Sequence, residues 1–88
     1  MPACTRQHPR SSVDVTAAVL YLLPYTRAQW RRLEPAGLAP IVAGVVADPL
    51  FRVPEVTALV LAAEHNGTLA HPHRLAAARR MARRVLAA

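Results

Sequence analysis

Arg74, Arg79, Arg80, Arg83 and Arg84 lie within the last fifteen residues of the chain, and His73 stands beside the first of them. A guanidinium is planar, permanently charged and carries its donors in a fixed fork, which suits phosphate and carboxylate oxygens. At about 100° per residue, Leu75, Ala78, Met81, Ala82, Val85 and Leu86 share one arc of a helix. Arg79, Arg80, Arg83 and Arg84 share the opposite arc, and Arg74 falls near a boundary. Arg79 repels Arg83 and Arg80 repels Arg84 at i,i+4, and residues 72–88 contain no acid to relieve them. A face of unrelieved like charge implies an outside anion. Arg74, Arg79, Arg80, Arg83, Arg84 and His73 are therefore the candidate nucleic-acid-binding residues. The arginines sit in the middle and end of their segment, which suits phosphate contacts better than base reading from a helix N-terminus.

Other chemistries find less to use. His71-Pro72-His73, with His65, matches no zinc-ligand spacing, and exposed or capping roles are expected for these histidines; no metal or cofactor is expected. Asp14, Glu34, Asp48, Glu55 and Glu64 each have a structural role near a helix end or on a surface. Neither a phosphate loop nor a nucleophile elbow is present, and the chain is read as non-enzymatic.

Eighty-eight residues make one domain at most. The expected division is a flexible N-terminal arm, residues 1–10, and a single helical domain, residues 11–88. The net charge is +6, and every basic residue is Arg. That balance attracts nucleic acid, anionic lipid or an acidic protein. The apolar fraction, 53%, is more than a domain of this size hides, which points to a self-association or partner interface, most simply that of a dimer. No apolar run approaches the eighteen or so residues that span a bilayer. Arg6 and Arg10 ahead of apolar residues 15–23 resemble a secretory signal, but Asp14 at the edge of the run counts against it. With Cys4 as the single cysteine, a cytoplasmic protein is the simplest expectation.

The elements that must position the arginines are set by the punctuation. Ser11 and Asp14 have capping-box spacing, and residues 13–23 are apolar nearly all round, as in a central helix stopped by Pro24. Thr26 and Gln29 form a second capping box, opening a helix over 27–34 with Trp30 and Leu33 inward and Arg27, Arg31 and Arg32 toward solvent. Pro35 and Gly37 are expected to end it. Pro40 should open a third helix over 41–47, where β-branched residues leave a strand as the alternative and Gly44 could permit close packing. Pro54 and Glu55 start a fourth helix, with Val56, Leu59, Val60 and Ala63 inward and Asn66-Gly67 as its stop. Pro72 starts the fifth.

The expected fold is all-α, a compact bundle of about five short helices, with a helix-turn-helix-like unit formed by the last two. The expected function is a small basic DNA-binding protein, of the regulator or accessory-factor type. Its Arg-rich C-terminal helix would contact the phosphates of double-stranded DNA. The alternative is a protein-interaction or assembly module whose basic amphipathic helix docks on an acidic partner through its apolar stripe.

Overall fold

The computed structural model describes residues 11–88, so the N-terminal arm expected over residues 1–10 lies outside the described residues. The described chain is all-helical: α1 (Ser12–Leu22), α2 (Arg27–Ala47), a 3₁₀ turn (Pro49–Phe51), α3 (Val53–His65) and α4 (Pro72–Ala87). Helix α1 is central. Its Thr16, Ala17, Ala18, Val19 and Leu20 are buried, and it packs most extensively on α4, then on α3 and α2. The Ser11 hydroxyl caps it by accepting the Asp14 N–H at 3.0 Å.

Both halves of the Thr26–Gln29 capping box form. The Gln29 N–H donates to Thr26 Oγ1 at 3.1 Å, and the Thr26 N–H donates to Gln29 Oε1 at 2.7 Å. Residues 27–47, taken together as α2, are two helical segments that meet at one non-helical residue, Glu34 (φ 62°, ψ 164°), and the second begins at Pro35 rather than at Pro40. The physical reason is Pro35. A proline disfavours the helical conformation in the residue before it, and its own fixed φ suits the start of the next helical segment. Pro35 therefore restarts the helix instead of ending it, and Gly37 stays helical. Pro40, expected as a helix start, falls inside the second segment, where it removes an N–H that would have bonded the carbonyl four residues back. The β-branched residues 41–47 are helical. A Cβ built on Gly44 meets nothing within 4 Å, so that glycine serves no close helix contact.

Beyond α2, the Asp48 carboxylate caps the 3₁₀ turn by accepting the Leu50 N–H at 2.9 Å. Helix α3 buries Val53, Thr57 and Val60, whereas Leu59, expected inside, is 71% exposed. Gly67 (φ 73°) closes α3 in a left-handed conformation. The Gly67 N–H donates to the Glu64 carbonyl at 3.1 Å and the Thr68 N–H to the Ala63 carbonyl at 2.9 Å, the two bonds of a Schellman cap.

Helix α4 buries Leu75, Ala77, Ala78, Met81, Ala82 and Val85, nearly the arc expected, though Leu86 is half exposed. The helix-turn-helix pair does not form as a packed unit. Helices α3 and α4 each pack mainly on α1, and the connection from Asn66 to His71 is too long for a tight turn between them. Leu33, expected inward, is exposed on α2. Leu22 and Phe51 also stand exposed, at an apolar groove with Val19, Leu23, Val45 and Val53. Among the described residues no single helix is long and apolar enough to cross a membrane.

Glu34 occupies a backbone region that is essentially reserved for glycine and costs about 1–3 kcal/mol in other residues. Glu34→Gly is expected to raise the unfolding free energy by about 1 kcal/mol in urea denaturation, the relief of strain exceeding the added chain entropy of glycine.

Candidate functional site

The six residues expected to meet an anion do three different things. Arg74 is structural. Its Nε donates to the Tyr21 carbonyl at 2.9 Å, and its Nη2 donates to the carbonyls of Leu20 at 3.2 Å and Leu23 at 2.7 Å. These carbonyls end α1, where the backbone has no helical donors left and the helix dipole is negative. The guanidinium carbon also lies 4.6 Å from the Trp30 ring centroid, within cation–π range. Burial pulls the Arg74 pKa below the ordinary arginine value, yet the group stays charged at neutral pH. Nearby, the His71 N–H donates to the Tyr21 hydroxyl at 3.2 Å, so the start of α4 is fastened to the end of α1. His71 sits at the N-cap position, but its side chain makes no capping bond.

Arg79 is already neutralised. Glu64 of α3 accepts from both of its terminal nitrogens, Oε1 from Nη2 at 2.6 Å and Oε2 from Nη1. Asp14 of α1 lies 3.8 Å from its Nε. The bidentate bond to Glu64 raises the Arg79 pKa, and the same bond holds the Glu64 carboxyl below its ordinary value. Arg74 and Arg79 are therefore removed from the candidate anion contacts. The relief that α4 lacks in its own sequence comes from carboxylates of two other helices.

Arg80, Arg83 and Arg84 are exposed and make no ion pair among the described residues. Two of them face a surface that the sequence pattern places in solvent. Arg80 and Arg84 of α4 and Arg27 and Arg31 of α2 line one cleft of about 170 Å³, with Trp30, Ala77 and Met81 as its remaining walls. On each helix the two arginines are four residues apart, so each pair forms a ridge along its side of the cleft. Two adjoining depressions continue the seam between α2 and α4. One is lined by Arg27, His71, Pro72 and His73, the other by Arg31, Glu34, Met81 and Arg84. His73, exposed on the first turn of α4, thus belongs to the same trough. Arg83 points away from the cleft.

Trp30 is the sole tryptophan and is 1% exposed, a core anchor as expected. Its indole N–H is buried and has no acceptor among the described residues. Arg27 and Arg31 escape a sequence-based site prediction because their role depends on α2 lying against α4. The available signal is their spacing of four around Trp30, which matches Arg80 and Arg84 around Met81. Among the described residues no three His, Cys, Asp or Glu side chains assemble into a cation-binding group. In comparisons with known proteins, no family model, no curated protein and no solved structure matches this chain.

Arg74→Ala is expected to cost about 2–3 kcal/mol in urea denaturation, since it strips charge-assisted bonds from the end of α1. Arg74→Lys should recover less than half of that loss, because one ammonium cannot span three carbonyls and stack on an indole. A second expectation concerns acid. Because the folded pKa of Glu64 lies below its ordinary 4.5, the pair's contribution is complete above that value and is lost as pH falls through the folded one. The wild type should therefore lose stability more steeply than Glu64→Gln between about pH 5 and pH 3. The difference should stay under about 1 kcal/mol, because both partners are partly exposed.

Proposed function

We propose that the chain is a small non-catalytic nucleic-acid-binding domain that holds the phosphate backbone of double-stranded DNA in the trough between α2 and α4. The observation that carries this reading is the convergence of Arg27, Arg31, Arg80 and Arg84 on one cleft with no ion pair to any of them among the described residues. Bringing four like charges together costs free energy in the isolated chain, and an anion between them reverses the sign of that cost. Arg83, on the outer side of α4, supplies a further phosphate contact. The start of α4 is occupied with capping α1, which favours backbone contacts over base reading.

The reading as a protein-interaction module changes form. It relied on the apolar stripe of the last helix, and Leu75, Met81 and Val85 are buried inside the chain. An acidic protein partner would have to engage the arginine trough instead.

The test is the salt dependence of binding to a short DNA duplex. Four guanidinium groups set an upper limit of about −3.6 on this cleft's share of the slope of log affinity against log salt, and a single phosphate contact sets a lower limit of about −0.9. Replacing Arg27, Arg31, Arg80 and Arg84 with Ala should flatten the slope by an amount within those limits. Arg52→Ala, whose guanidinium is paired with Glu55 at 2.6 Å on an exposed surface, should leave it unchanged. An unaltered slope in the fourfold variant refutes the proposal.

A further inference from the structure

The central cleft is small and its charge is high. A cavity of about 150 Å³ houses a ligand of about six heavy atoms, so about 170 Å³ is room for one phosphate group. Four guanidinium groups then face that single group. An internal phosphodiester carries one negative charge and two free oxygens. A terminal phosphomonoester carries about −1.5 to −2 at neutral pH and three strongly accepting oxygens. The monoester is the better match to two opposed pairs of guanidinium forks.

The flanking depressions differ in chemistry. The one toward the start of α4, about 440 Å³, is lined by Thr26, Ala70, His71, Pro72 and His73, with Arg27 and Arg74. It is mainly apolar, it is wide enough for a base and sugar, and it carries two imidazoles of the kind on which unpaired bases stack. The opposite depression sets one acid, Glu34, between Arg31 and Arg84, so a phosphate there would compete with a carboxylate already in place. A strand that enters past His73 and stops at the cleft satisfies both ends. Trp30, 1% exposed, forms part of the cleft wall.

We infer that the four-arginine cleft receives the 5′-phosphate at the end of a nucleic-acid strand, with the terminal nucleoside against His71 and His73. The inference rests on the nucleic-acid-binding reading of this face and narrows it from backbone to strand end.

The experiment compares a duplex carrying a short single-stranded 5′ overhang with and without its terminal phosphate, at one salt concentration. Binding is followed by anisotropy of a label on the far end and by fluorescence of Trp30, the sole tryptophan. The phosphorylated end should bind about tenfold tighter, a difference of about 1.4 kcal/mol, and only that duplex should change the Trp30 signal. Arg80→Ala with Arg84→Ala should abolish the preference, His73→Ala should weaken it, and Arg52→Ala should preserve it. All four positions are exposed, and unchanged helical circular dichroism verifies the fold of each variant. Equal affinity for the two duplexes overturns the strand-end assignment while leaving DNA binding in place. Absence of binding to either overturns both. A nucleoside 5′-monophosphate that binds as tightly as the phosphorylated duplex overturns the assignment to a strand and transfers the cleft to mononucleotides.

Discussion

The seam between α2 and α4 depends on how the chain satisfies the carbonyls at the end of α1. Pro24 stops that helix, and the carbonyls of Leu20, Tyr21 and Leu23 have no helical N–H to receive. Arg74 reaches them from α4 while its flat face covers Trp30 of α2. One side chain thus joins three helices at a point where a neutral hydrophobic residue would leave orphaned acceptors. Because the fork and the ring are both rigid, the contact sets the height of α4 relative to α2. That height brings Arg80 and Arg84 level with Arg27 and Arg31. The anion cleft is in this sense a by-product of capping α1.

Periodicity alone nearly separates the arginines of α4 by role. At about 100° per residue, Arg74 falls in the middle of the arc occupied by Leu75, Ala78, Met81 and Val85, not at its boundary. Arg83 falls diametrically opposite. Arg79 lies at one edge of the buried arc, and Arg80 and Arg84 at the other. The arithmetic does not tell which edge meets an acid. One edge faces α3 and its Glu64, the other faces α2 and more arginine, and that distinction belongs to tertiary packing. Reading Arg74 as a surface cation lets its charge override its angle. A buried arginine with carbonyl partners reverses that priority.

The same division between local and long-range information runs through the fold. The Ser11 cap, the Thr26–Gln29 box and the Gly67 stop are legible in the sequence because each closes within three to five residues. The break in α2 is harder to place, since two prolines and a glycine all signal a boundary and only the conformation of Glu34 gives way. The stripe on α3 misleads because Leu59 looks inward by hydrophobicity, while Thr57, a polar residue at 0% exposure, takes the core position. The helix-turn-helix outline fails for a related reason. Two helices and a glycine in sequence do not reveal that both prefer the apolar surface of α1 to each other.

The distribution of unpaired charge bears on whether the basic composition has a role. Among the described residues, Arg52 and Arg79 have carboxylate partners and Arg74 has carbonyl partners. The arginines without any such partner are Arg27, Arg31, Arg32, Arg80, Arg83 and Arg84, and all lie on the first segment of α2 or the second half of α4. A compositional drift toward arginine would scatter these groups and pair them with acids at random. Instead the acids Asp14, Glu55 and Glu64 are spent elsewhere, two of them on the far edge of α4, and the seam with α2 is left positive. Each i,i+4 pair along that seam costs a few tenths of a kcal/mol, and Trp30, Leu75 and Met81 beneath it supply the burial that tolerates the cost. Charge concentrated over a rigid apolar floor has no reason to relax by moving apart, so its compensation has to come from an anion brought to it.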